Sequence, residues 1–306
     1  VVDDGRVSSV TTADEPTRSC RRRALDDSMV VDVQALVLPA FDGLDAAPID
    51  GELGPWRAAY DLDHRVDVPG VEASLRHDGA GLAVAPKGVG KVAAASTTAA
   101  LCADETVSLG DALVLSVGIA GAPPDPPIGS VVLADSIVDW DDKVRLDDEG
   151  TGEPIEPDPY TGTAGVIDLD SALVARAKSV GETVSLVGDG STAKPTLTVG
   201  TNVCADELWH GRQLARQVAR FVNDRDRGPY RATEMEDAGT VRALRRFGLA
   251  DRYLSVRGIS NHDRPEPGTA ARDSFFGAEA ADSASAFRAG LESAVRVARA
   301  IVDDAR

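Results

Sequence analysis

The chain has 306 residues, and 50 Asp and Glu against 32 Lys and Arg leave a formal charge of −18. Asp, Arg, Gly or Pro breaks every apolar run well short of the ~20 residues that a membrane-spanning helix requires, which excludes a pore or carrier built from helices of this chain alone. A surface so acidic, with no basic stripe beyond Arg21, Arg22 and Arg23, excludes a nucleic-acid partner as well, since binding to phosphates rests on neutralisation by Lys and Arg.

Lysine is rare among the basic residues (Lys87, Lys91, Lys143, Lys178, Lys194), and Asp dominates the acids. This composition reads as a halophilic one, in which short hydrated carboxylates keep the surface soluble when salt screens charge over only ~3 Å at about 1 M. Most acidic residues therefore serve solvation rather than chemistry. The cysteines Cys20, Cys102 and Cys204 form no CxxC, and no His/Cys cluster has metal-ligand spacing, so neither a disulfide framework, a metal nor another cofactor is expected. Residues 1–28 are polar and rich in Arg and Asp, with no apolar segment of a secretory signal. They read as a disordered extension ahead of a single domain over 29–306, with Met29 as a plausible start and the cytoplasm as the compartment.

In chain order, a β-branched run at 33–38 predicts a first strand, 81–85 a second and 112–117 a third. An alanine-rich helix is expected over 92–102 between the last two. The proline-rich 122–127 forces an extended loop before a strand at 130–133. Residues 141–168, rich in Asp, Glu, Pro and Gly, read as a surface excursion. A helix over 170–178 capped by Asp170 follows, then a strand at 196–199. Leu214, Val218 and Phe221 share one face of a helix starting near Asp206, as do Phe287, Leu291, Val295, Ala298 and Val302 in a closing helix. Strands alternating with helices and glycine turns specify an α/β domain with a mixed or parallel sheet.

Four segments carry residue types suited to chemistry. Gly88-Val89-Gly90-Lys91 leaves a strand and opens a helix, where glycines admit a ligand to the backbone and free N–H groups favour an anion. Lys91 is followed by Val92, so this is no Walker A loop, and a tight turn without ligand is the alternative. Gly118-Ile119-Ala120-Gly121 is expected at a strand end, where open α/β sheets place ligands and where close packing also selects glycine. Met235 and Glu236, at an expected helix start, suit a sugar: the thioether covers the ribose face and the carboxylate accepts from its hydroxyls. Acid at a helix start also complements the helix dipole. The last segment, 256–264, is a strand entering a loop of donors and acceptors that ends in Asn261, His262, Asp263 and Arg264.

In this order the segments resemble the purine nucleoside permease (NUP) family and, behind it, the nucleoside phosphorylase superfamily. The resemblance runs from about Val33 to Asp304 and is strongest at 203–211, 234–237 and 260–268. It implies a three-layer α/β/α fold around a mixed, partly barrel-like central sheet, and enzymes that cleave the N-glycosidic bond of purine nucleosides with water or phosphate as co-substrate. Met235 and Glu236 match the superfamily's ribose-holding pair. Gly88, Gly90 and Lys91 match a turn beside the attacking nucleophile in methylthioadenosine nucleosidases. Leu208 and Trp209 fall in a segment that edges the base, although Trp209 suits a core equally.

The departures bear on mechanism. Where nucleosidases carry Ile-Ser-Asp, this chain has Ile259-Ser260-Asn261, and an amide hydrogen-bonds a leaving base but has no acidic proton to give. Asp263 or His262 is then the candidate donor, and Glu52 the candidate base that activates water. Hydrolysis is expected over phosphorolysis, since no phosphate-binding arginine is evident near Gly118 and Gly121. The family name implies the competing reading, a nucleoside-binding component of transport without catalysis. A homo-oligomer is also implied by the resemblance.

Overall fold

The computed structural model describes residues 30–43, 51–146, 155–160, 165–276 and 283–306. Its strands are β1 (Val31–Asp32), β2 (Ala35–Leu38), β3 (His64–Val66), β4 (Leu75–His77), β5 (Leu82–Val84), β6 (Val107–Ser108), β7 (Leu113–Ala122), β8 (Val131–Asp139), β9 (Lys143–Arg145), β10 (Ile155–Pro157), β11 (Val166–Asp168), β12 (Leu197–Cys204), β13 (Ala232–Glu234) and β14 (Tyr253–His262). The helices are α1 (Gly54–Ala59), α2 (Lys91–Ala103), α3 (Ser171–Gly181), α4 (Arg212–Asn223), α5 (Asp237–Arg246), α6 (Ala271–Phe276) and α7 (Ser283–Ala305).

The main sheet runs β11-β8-β12-β13-β7-β2-β5-β4-β3, and β14 bridges β7 and β8. That bridge closes five strands, β8-β12-β13-β7-β14, into a barrel. β14 lies parallel to β7 and antiparallel to β8, while β2 lies parallel to both β5 and β7. The mixed, partly barrel-like α/β architecture expected from the sequence is therefore present. β2 and β5 are buried along their whole length, which is why they are uninterrupted apolar runs rather than alternating ones. α7 lies across β14 and β7, and α2 packs against α5. The larger core cluster draws on residues from Val33 through Val302.

Several elements differ from their sequence expectation. Gly118 and Gly121 are not at a strand end but inside β7, which continues to Ala122. They are small because side chains from elsewhere press on the strand: a Cβ on Gly118 would lie 2.3 Å from Glu52 Oε1, and one on Gly121 2.8 Å from Thr233 Oγ1. The excursion at 141–168 carries the β9–β10 hairpin and β11, which adds to β8 as an antiparallel strand. α4 begins at Arg212 instead of near Asp206, so 206–211 is a loop. Asp170 caps α3 as expected, accepting from Leu173 N at 2.7 Å. The N-terminal extension, 1–28, lies outside the described residues.

α7 reaches β14 through a glycine pair. A Cβ on Gly258 would lie 1.9 Å from the carbonyl oxygen of Gly290, a backbone atom that cannot step aside. Gly258→Ala is expected to cost about 3 kcal/mol by overpacking, read as a lowered urea midpoint, whereas Gly248→Ala, which meets nothing within 4 Å but has φ +72°, is expected to cost about 1 kcal/mol from backbone conformation alone.

Candidate functional site

The site grows from one guanidinium. Arg257 on β14 is almost fully buried, and its Nη2 donates to Ser116 Oγ at 2.7 Å, to Glu234 Oε2 at 2.8 Å and to Asp237 Oδ1. Its Nη1 lies 3.6 Å from Glu236 Oε2. Asp237 also accepts from Ser116, Asn202, Tyr253 and Ser255, so side chains of three strands, β7, β12 and β14, converge on the start of α5. Lys87 completes the cluster: it is fully buried, donates to Ser116 and lies 3.7 Å from Asp237. Burial alone would raise Asp237, but Arg257 and Lys87 hold it well below the usual carboxylate range. Burial and the neighbouring Asp237 push Glu234 up instead, against the pull of Arg257. Burial and Arg257 push Lys87 below its ordinary value, against the pull of Asp237, Glu236 and Glu234.

Glu236 sits between this cluster and the glycine turn. It is 5% exposed, and its Oε1 accepts from Gly90 N at 3.1 Å. Gly88 and Gly90 have φ of +84° and +88°, the left-handed region where glycine is the ordinary residue. The next amide, Lys91 N, donates to Asp206 Oδ1 at 2.7 Å. The helix start expected to hold a nucleophile or anion is thus already capped by carboxylates of the protein itself. The Lys91 side chain turns away to Asp139 and Asp141, each at 2.7 Å, and despite its burial they hold the ammonium above its ordinary value.

Glu52 approaches from the other side of β7. Its Oε2 accepts from Ala40 N at 2.6 Å and its Oε1 from Ile119 N at 2.9 Å. Burial raises its pKa to about 7, although those two N–H groups and Arg257 pull it down, and Glu236 raises it further. Glu52 and Glu236 therefore belong to one electrostatic unit around Arg257. A cavity of about 460 Å³, lined in part by Phe41, Lys87, Gly88, Val89 and Thr97, opens beside the turn, within the usual size of a small-molecule site.

At the far end of β14, Asn261 is exposed, with Nδ2 3.3 Å from the His262 carbonyl and only 3.1 Å from where a Cβ on Gly121 would stand. Asp263 is buried and fully engaged, accepting from Tyr230 and twice from Arg264. Leu208 is 68% exposed, while Trp209 is half-buried and packs against the smaller core cluster, the bland reading of that tryptophan. Met235, half-buried, joins β13 to Glu236. The structure thus gathers Glu52, Glu236 and the turn, and assigns Lys91 and Asp263 to ion pairs. Sequence reading gave no role to Lys87, Ser116, Glu234, Asp237 or Arg257. Of these, Arg257, Glu234 and Asp237 lie inside segments already singled out, but those are two separate segments, 20 or more positions apart, and nothing local in either shows that they pair or that Ser116, 141 positions from Arg257, joins them.

The family model for purine nucleoside permease (NUP) matches residues 32–305. The chain belongs to the NUP family. No curated protein sequence matches it. Among solved structures, the futalosine hydrolase of Helicobacter pylori is similar over 89% of this chain and 98% of its own, at 19% identity and TM-score 0.63. The 5′-methylthioadenosine/S-adenosylhomocysteine nucleosidase of Neisseria meningitidis, in complex with methylthio-immucillin-A, is similar over 88% and 98% at 17% identity and TM-score 0.59. Its Helicobacter pylori counterpart, with butyl-thio-DADMe-Immucillin-A, is similar over 89% and 99% at 18% identity and TM-score 0.60. At these identities the likeness is one of fold. Among the described residues of this NUP protein, no helix is long and apolar enough to cross a membrane.

Glu52 also leaves a signature in stability. Its folded pKa of about 7 lies above the ordinary value of 4.5, so the native state favours the protonated acid. That advantage is full below pH 4.5 and lost as pH rises through 7, a difference of about 3 kcal/mol. Urea titrations across this window are expected to show the decline in wild type and its disappearance in Glu52→Gln.

Proposed function

We propose that this NUP protein is a purine nucleoside N-ribosyl hydrolase. Cleavage of the glycosidic bond leaves positive charge on the sugar and negative charge on the base, so catalysis needs carboxylate near the sugar and donors near the base. The observation that carries the reading is the pair of buried carboxylates about Arg257. Glu236, with Met235 beside it, holds the ribose hydroxyls. Glu52, poised near neutrality, takes a proton from water as it attacks C1′. Arg257, 3.6 Å from Glu236, positions that carboxylate and restrains Glu52, and Asn261 hydrogen-bonds the departing base.

Water is favoured over phosphate by the occupants of the turn. Gly90 N and Lys91 N already serve Glu236 and Asp206, and a phosphate dianion placed there meets two carboxylates before it meets a free donor. Lys91, the cation closest in sequence, is committed to Asp139 and Asp141.

Incubating the purified chain with inosine, adenosine or guanosine, with and without phosphate, tests the assignment by chromatography. Free base and ribose at the same rate in both mixtures are expected. Ribose 1-phosphate that appears only with phosphate overturns hydrolysis, and tight binding of an intact nucleoside identifies a transport component instead. Glu236→Ala is expected to lower kcat/KM by roughly 2–4 kcal/mol of transition-state contact. Because Glu52 acts as a base with a pKa of about 7, kcat/KM is expected to rise with pH through that value, and to lose this limb in Glu52→Gln.

A further inference from the structure

We propose that the groove between α1 and α7 binds an amphipathic anion, a single carboxylate carried on an apolar chain. The groove has a volume of about 480 Å³, within the range of small-molecule sites. None of the residues gathered about Arg257 lines it. Pro55, Ala58 and Ala59 of α1 form one wall, and Phe287, Leu291 and Val295 of α7 form the other. The last three recur at every fourth position, so they make one apolar stripe along the helix. Leu291 and Val295 are its buried floor, and Phe287, half-buried, closes one end against Phe41, with ring centroids 6.5 Å apart.

Charge selects the occupant. The chain as a whole carries −18, yet the charged side chains lining this groove are Arg288, Arg296 and Arg299 against Glu292 alone. Glu292 is already paired, because Arg296 donates to its Oε1 at 2.5 Å and holds the Ser185 carbonyl at 3.2 Å with its other Nη. Arg299 lies over the Tyr60 ring, 5.4 Å from its centroid. Arg288 is exposed, and no acid among the described residues pairs with it. An acidic protein has carboxylates to spare for its cations, so a guanidinium left unpaired beside an apolar stripe suits a carboxylate that comes from outside. A neutral apolar ligand would leave Arg288 unused. A multiply charged anion would be repelled by the remainder of the surface and would find no donors along the apolar walls.

The dimensions favour a small molecule over a peptide. From Arg288 to Val295 the helix advances about 10 Å, room for a medium-length acyl chain laid along the stripe with its carboxylate at Arg288. The facing wall, Pro55 to Ala59, is little more than one turn long, whereas a helix docked in a groove uses anchors spread over two turns.

Calorimetric titration of the full chain with octanoate, 1-octanol and acetate tests the site. Octanoate is expected to bind with one site per chain, 1-octanol more weakly, and acetate not at all over the same concentrations. Arg288→Glu is expected to weaken octanoate about tenfold or more and to leave 1-octanol within about threefold of wild type. The alcohol thus shows, in the same preparation, that the variant's groove is intact. Ala58→Trp, which fills the groove from an exposed position on α1, is expected to weaken both ligands. Octanoate that fails to bind wild type, or that binds either variant as tightly as wild type, overturns the proposal. A groove that is closed to octanoate in a dimer and opens when Ala58→Trp breaks that dimer also overturns it, and assigns this face to a second copy of the chain. None of these readouts involves turnover, so the hydrolase reading stands or falls separately.

Discussion

A buried guanidinium holds this structure together. Arg257 cannot be removed from water without compensation, and a lone ion in a low-dielectric interior costs several kcal/mol even after relaxation. The compensation comes from Asp237, Glu234, Glu236 and Ser116, which lie on two separate pieces of chain. Lys87, brought in by the segment after β5, lies 3.7 Å from Asp237, and burial together with Asp237 pushes Glu234 toward its neutral form. Satisfying these groups together is what sets the corner between β13 and α5 against β7 and β14. That corner carries Met235 and Glu236, so the same interactions that make the core tolerable also fix the carboxylate proposed to hold the sugar.

The field of the cluster sorts four acids into different states. Asp237, at two cations, stays ionised under all ordinary conditions. Glu234, equally buried but beside Asp237, keeps its proton. Glu52 lies farther out, where two backbone N–H groups and Arg257 offset only part of its burial, and it rests near neutrality. Glu236 is fixed by Gly90 N and Arg257. Environments that push carboxylates apart in this way separate structural charge from a base able to exchange protons near pH 7. Gly118 is part of that device, since any side chain there would occupy the place of the Glu52 carboxylate.

The sequence made some of this legible and hid the rest for physical reasons. The apolar runs of β2 and β5, the Asp170 cap and the amphipathic α7 are local patterns, and all three appear where periodicity and capping put them. Glu52, Glu236 and the Gly88–Gly90 turn were named, because resemblance to a family orders residues along the chain. Charge pairing is not ordered that way. Arg257 meets Ser116 across 141 positions, and Lys91 meets Asp139 across 48, so a cation reads as a candidate anion site until its partners are known. Gly118 and Gly121 are expected at a strand end because glycine suits both a ligand site there and a close approach, and only the positions of Glu52, Thr233 and Asn261 decide for the close approach.

The glycine turn bears on the proposed choice of water over phosphate. A helix start offers unpaired N–H groups to whatever negative charge lies nearest. In this chain Glu236 and Asp206 reach α2 from β13 and from the loop after β12, so the donors are occupied by groups the fold has fixed. An incoming anion must displace a carboxylate and then sit beside it, whereas a neutral water faces no such repulsion. Lys91 does not relieve it, because Asp139, Asp141 and the more distant Asp206 already surround its ammonium. In the proposed reaction, an acidic chain thus keeps competing anions from the sugar with the same carboxylates that position it.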